Sequence, residues 1–184
     1  ILETAKYLPQ LGYHPVIGIP VEEHLPLPEF AKTADALGYE VIEFPIKSAF
    51  DISAIKAIKK YVDSNQIDII HSHGYREDFY ATFARGKAKL IATNHLWKRT
   101  NLRLKLYATL DARLLKRFDA IIAGSHLIRD DMEERGISAE KITIVPNGVE
   151  VSNSSQPFSR EAVRAEINIP LDSLVVGTLS SLTT

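Results

Sequence analysis

Leu90-Ile91-Ala92-Thr93-Asn94-His95 is an apolar run that stops abruptly at a threonine, an asparagine and a histidine. A buried parallel strand reads this way when its last residues emerge into a crevice. Residues 67–73 (IDIIHSH) predict the strand before it, ending at His71-Ser72-His73-Gly74. Residues 120–123 predict the strand after it, followed by Gly124-Ser125-His126. Three neighbouring strands then bring polar residues to one edge of a sheet. In open α/β sheets that carboxyl edge is where ligands bind.

The flanking sequence continues the same rhythm. Residues 1–11 place Ile1, Leu2, Ala5 and Leu8 at helical spacing, with Gly12 as a C-terminal cap. Strands are predicted over 14–20, 40–46 and 141–145, and helices over 29–37, 53–64, 77–85, 101–118 and 125–135. Asp51 or Ser53 would cap the helix at 53–64. On the helix at 101–118, Leu106, Tyr107, Leu110, Leu114 and Phe118 share a predicted core face. Alternating strands and helices imply an α/β fold, a doubly wound Rossmann-like parallel sheet covered on both faces. Pro146-Asn147-Gly148-Val149 reads as a tight turn, because Asn and Gly tolerate positive φ. Residues 1–150 are therefore one domain. Residues 151–172 form a polar linker with a short helix at 160–166, and residues 173–184 open a second domain with a strand at 174–179.

Composition narrows the chemistry. The 184 residues are 45% hydrophobic and 24% charged, with a net charge of -1, so nothing pulls the whole chain toward nucleic acid or membrane. With no cysteine, disulfides, thiol nucleophiles and thiolate metal sites are excluded. No apolar run approaches the ~18 residues that a membrane-spanning helix needs, and a cytoplasmic location is expected. A local exception begins at Trp97. Lys98, Arg99, Arg103, Lys105, Arg113, Lys116 and Arg117 make seven basic residues against one acid, Asp111. Such a run suits peripheral contact with an anionic membrane, with Trp97 at the interface. The competing reading is a solvated helix face. Nucleic acid is not an expected partner, since no aromatic platform accompanies the charges.

Four segments in order resemble the amino-terminal half of glycosyltransferase family 4 enzymes, which have the GT-B architecture of two Rossmann-like domains. They are Asp68-Ile69-Ile70-His71-Ser72-His73, Thr93-Asn94-His95, Asp119-Ala120-Ile121-Ile122-Ala123-Gly124-Ser125, and 141–150 (KITIVPNGVE). The resemblance implies a retaining transfer of a sugar from a nucleotide-sugar donor to a hydroxyl of a glycan or lipid acceptor. The donor would bind mainly on the second domain and the acceptor on this one, with no cofactor held by this domain. Two departures stand out. The family's first strand, central in its sheet, has no counterpart before residues 1–11. Ser180-Ser181-Leu182 also stands where the family has Gly-Arg-Leu, whose arginine helps hold the donor diphosphate.

By the same resemblance His95 lies in the crevice near donor sugar and acceptor, and it is the first catalytic candidate. A histidine can hydrogen-bond a sugar hydroxyl and respond in charge to a nearby phosphate. Gly74, Thr93, Asn94, Lys98 and Arg99 join it as acceptor-side candidates. So does His73, which shares a strand face with His71. His71, deeper in its strand, reads as a structural histidine. A metal site is not expected, because the pair lacks a third ligand nearby in sequence. Ser125, Asn147 and Gly148 are the donor-proximal candidates. Ser125 reads first as a helix N-cap, and Asn147-Gly148 as a hinge. Two other readings remain. A sugar-nucleotide epimerase of the same architecture would need carboxylates at these strand ends. The other is a non-enzymatic flavodoxin-like binding module, of which a receiver domain would need clustered acids there.

Overall fold

A computed structural model of the chain describes residues 1–22, 24–95, 97, 100–148 and 159–177. Lys98 and Arg99, two of the acceptor-side candidates, lie outside the described residues, as do residues 151–158 of the linker. The elements run α1 (Leu2–Ala5), β1 (Val16–Glu22), α2 (Glu29–Ala36), β2 (Glu40–Ile46), α3 (Ile52–Ser64), β3 (Ile69–Ser72), α4 (Tyr75–Ala84), β4 (Lys89–Asn94), α5 (Leu102–Leu115), β5 (Ala120–Ala123), α6 (His126–Glu134), β6 (Ile142–Ile144) and α7 (Arg160–Glu166). All pairing is parallel, as the strand–helix alternation predicts.

The strands form two sheets rather than one. β1 pairs with β2 from Val16↔Glu40 to Glu22↔Ile46. The other sheet has the order β3-β4-β5-β6, with Ser72 level with Ala92 and Asn94 level with Ala123. Among the described residues β1 and β3 each keep one edge without a strand partner. Both border a common cleft of about 360 Å³ lined by Ile17, Ile19, Phe44, Ile69 and His71. Among the described residues no strand lies between them, and the two sheets stay separate.

Local chemistry explains the boundaries. α1 stops early and gives way to a 3₁₀ turn at Pro9–Leu11, because Pro9 has no N–H for the preceding helical carbonyl. Gly12 then caps the turn at φ 81°. Asp51 caps α3, accepting from the backbone N–H groups of Ser53 at 2.7 Å and Ala54 at 3.4 Å. With the Ser53 hydroxyl and the Lys47 amide also donating, its carboxyl is held down to about 2.

The main core lies under the four-stranded sheet, where Leu90, Ala92, Phe118, Ile121, Ala123 and Met132 are sealed from solvent. β4 is covered on both faces, as an inner parallel strand should be. Asp119 clamps its start, accepting from the Leu90 amide at 2.9 Å and Lys89 Nζ at 3.0 Å. This acid of the third motif therefore works at the end of the sheet opposite the predicted site.

Three expectations need correction. Leu106 is 65% exposed, not core. The buried face of α5 centres on Ala108, Asp111, Ala112 and Leu115, and Leu106 falls on the other side. Neither Asn147 nor Gly148 adopts the positive φ expected of them, and Val149, the last residue of that predicted turn, lies outside the described residues. Residues 174–177 are irregular, with Leu174 and Val176 fully open to solvent, because no strand among the described residues pairs with them. Residues 178 and 179 of that predicted strand lie outside the described residues.

The chain divides into a compact unit, Ile1–Asn147, and a second one, Gly148–Thr184. In the second, Ser159 caps α7 and Arg164 donates to the carbonyls of Pro170 and Ser173.

Candidate functional site

β3 and β4 end side by side, and their alternation sorts the polar residues. On one face of β3 stand His71 and, just past the strand, His73; on the other stands Ser72. The rings of His71 and His73 lie 4.4 Å apart, and those of His73 and His95 lie 6.0 Å apart and nearly parallel. Three histidines from two strand ends thus make a ladder along the carboxyl edge. His95, the outermost, is exposed.

Each rung has a different setting. His71 Nε2 is hydrogen-bonded to Thr93 Oγ1 at 2.8 Å, the donor being set by the ring tautomer. Thr93 and Asn94 are both buried. Thr93 therefore orients a histidine from below and is not an open contact surface. His73 Nδ1 is buried without a hydrogen-bond partner among the described residues. Desolvation, with the neighbouring His71 and His95 rings adding to it, pushes His73 down to about 3.

That depression makes the ladder acid-sensitive. The contribution of His73 to stability is present above its ordinary value of 6.5 and is lost as pH falls toward about 3. Imidazole NMR should show His73 staying neutral well below pH 6.5. His73→Phe should flatten the fall in unfolding free energy across that window.

Gly74 begins α4 at φ 128°, a conformation that strains any other residue, and a Cβ there would meet Glu77 Oε2 at 3.1 Å. It opens onto a second cleft of about 380 Å³, lined by Phe50, Tyr75, Arg103 and Tyr107. His73 faces the cleft shared by β1 and β3, and Arg76 and Glu77 border both clefts. Arg76 pairs with Glu77 at 3.2 Å and with Glu22 of β1 at 3.7 Å. Of the acceptor-side candidates, His73 and Gly74 thus border two adjoining clefts at the head of α4, one each, and Thr93 and Asn94 line neither.

Ser125 is the N-cap of α6, accepting from the Ile128 amide at 3.3 Å. Asn147 is exposed beyond β6 and is not gathered into the ladder; Gly148, the first residue of the second unit, is exposed. Among the described residues no three histidine, aspartate or glutamate groups are placed to share a metal ion.

Trp97 corrects the reading of the basic run. It is buried, donating from Nε1 to Asp111 Oδ2 at 2.7 Å, so it cannot anchor at a membrane interface. Asp111 is also buried, and so it does not dilute the surface charge of α5. Sequence reasoning missed the buried Asp78 and Asp111. The signal was the phase of α5: Ala108, Asp111, Ala112 and Leu115 share one face, so the acid points inward. The aromatic cluster of Phe50, Phe79 and Tyr107 brings together residues far apart in sequence and carried no signal.

The Glycosyltransferase Family 4 model matches residues 1–153 of the chain. Solved structures agree on the fold. A glycosyltransferase from Rickettsia africae superposes with a TM-score of 0.65 at 20% identity, over 93% of this chain and 45% of that one. Anabaena Alr3699/HepE, solved with UDP-glucose, gives a TM-score of 0.62 at 14% identity, over 81% of this chain and 42% of that one. The chain thus spans less than half the length of these structures. No curated protein matches it.

Proposed function

The chain belongs to Glycosyltransferase Family 4, and from that premise we propose that it is the acceptor-side part of a retaining glycosyltransferase. The donor would be a nucleotide sugar, and the acceptor a hydroxyl of a glycan or lipid. The observation that carries this reading is the ladder of His71, His73 and His95 at the carboxyl edge of β3 and β4. The complex of Anabaena Alr3699/HepE with UDP-glucose supports a sugar nucleotide as donor.

In this reading His95 hydrogen-bonds the sugar at the open end of the ladder, and Thr93 sets the ladder's geometry through His71. Neutral His73 offers a hydrogen bond without bringing a positive charge to the acceptor. Positioning and electrostatic stabilisation of the leaving diphosphate supply most of the rate. The test is sugar transfer by the intact protein from a panel of nucleotide sugars, UDP-glucose included, with product configuration read by NMR. Retention of the donor's anomeric configuration is expected. Inversion would overturn the retaining mechanism, and epimerised nucleotide sugar without transfer would favour the epimerase.

The same proposal places the protein at the cytoplasmic face of an anionic membrane, held by α5. No described helix is long and apolar enough to cross one. α5 exposes Leu102 and Leu106 beside Arg103 and Lys105. Vesicles containing phosphatidylserine should sediment the protein, and neutral vesicles should not. Each basic residue removed from this face should weaken binding about fivefold, from about 1 kcal/mol per charge. Equal, negligible binding to both vesicles would contradict it.

A further inference from the structure

Behind the histidine ladder lies a second polar chain, facing the helices. Ser72 donates from its hydroxyl to Asp78 Oδ1 on α4. Asp78 on α4 and Asp111 on the neighbouring α5 are both buried, close enough that the charge of Asp111 raises Asp78. Asp111 Oδ2 takes the Trp97 indole N–H, and Asp111 Oδ1 is buried with no donor from a neighbouring group among the described residues. Asp78 and Asp111 are only 3% and 2% exposed. On its other side Trp97 carries the Arg135 guanidinium 5.0 Å from its ring centroid, at the end of α6. The chain therefore links β3, α4, α5 and α6 to the residue two positions after His95.

Two ionised carboxylates are acceptors only, and sealed side by side they repel. One proton turns that repulsion into an O–H···O bond and leaves Asp111 Oδ2 free to hold the indole. We propose that Asp78 and Asp111 share one proton, and that this proton locks Trp97 against α5. The aspartates are positioning residues that act through Trp97. The lock does not rest on the reading of His95 above.

The lock opens as pH rises. Burial pushes both carboxyls above their ordinary range, and the charge of Asp111 and then of Glu77 raises Asp78 further. The stability it contributes is complete below the unfolded carboxylate value of 3.8 and is lost as pH climbs through the raised values. Other charged or titratable groups facing the pair are Arg76, Tyr75, Arg103 and Tyr107, which line a cleft with Asp111, and Arg135 across Trp97.

Trp97 is the single tryptophan, so its fluorescence reads the lock directly. The experiment follows emission and acrylamide quenching of the 184-residue chain from about pH 4 to about pH 9, with far-UV circular dichroism as the control for global unfolding. Rising pH should shift wild-type emission to the red and increase quenching while the dichroism holds. In Asp111→Asn the amide donates to Asp78 and its carbonyl still accepts the indole, so the transition should vanish with emission fixed at the low-pH position. Asp111→Leu should give the red-shifted, quenchable state throughout, and Glu77→Gln should keep the transition. A flat wild-type profile, a transition retained in Asp111→Asn, or its loss in Glu77→Gln would overturn the proposal. No sugar enters the experiment, so its failure and that of the transfer assay are separable.

Discussion

His95→Ala is expected to lower kcat for sugar transfer by the intact protein by about 10²-fold, the usual cost of removing one hydrogen bond that strengthens at the transition state. The residue is exposed at the end of the ladder and makes no contact that the core needs, so circular dichroism and thermal unfolding should be unchanged. Thr93→Val should show a smaller loss. It removes the hydrogen bond that holds His71, two rings away from His95, and leaves the outer ring in place. Equal turnover of wild type and His95→Ala would remove His95 from the site.

Phe118→Ala should lower unfolding free energy by about 3–5 kcal/mol, the range for emptying a large aromatic site in a packed core. Phe118 has no solvent exposure and sits with Leu90, Leu115, Ile121 and Met132 at the centre of the main cluster. Domains of this size have about 5–15 kcal/mol in total, so the midpoint of urea unfolding should drop markedly with little change in slope. A loss under about 1 kcal/mol would mean that α5 is not packed on β4 and β5 as described.

The strand ends were readable because two periodicities meet there. An apolar run long enough for an inner strand, followed at once by Thr93-Asn94-His95, fits a parallel strand and little else. His71 was legible as a structural histidine, but its partner Thr93 was not, because no sequence pattern states which strand lies next to which. The interior of α5 was misread at two positions for opposite reasons. Leu106 was assigned by residue type when its phase pointed to solvent. Asp111 was counted as the one acid of the basic run, while its phase pointed inward. Trp97 followed from Asp111, since an indole N–H goes where a buried acceptor waits. The break of α1 was carried by Pro9 and could have been foreseen. The separation into two sheets could not be read from the helical and strand segments alone, because strand order is set by neighbours in space.

In the proposed enzyme the histidine-lined edge of β3 and β4 faces the sugar. Isotope-filtered NMR with ¹³C-labelled histidine reads this directly, by nuclear Overhauser effects from sugar ring protons to histidine ring protons in the intact protein. With a nucleotide sugar that the protein consumes, cross-peaks to His95, and weaker ones to His73, are expected. Transfer activity without any cross-peak to the three histidines, or with contacts only to the cleft of Phe50 and Tyr107, would contradict the account.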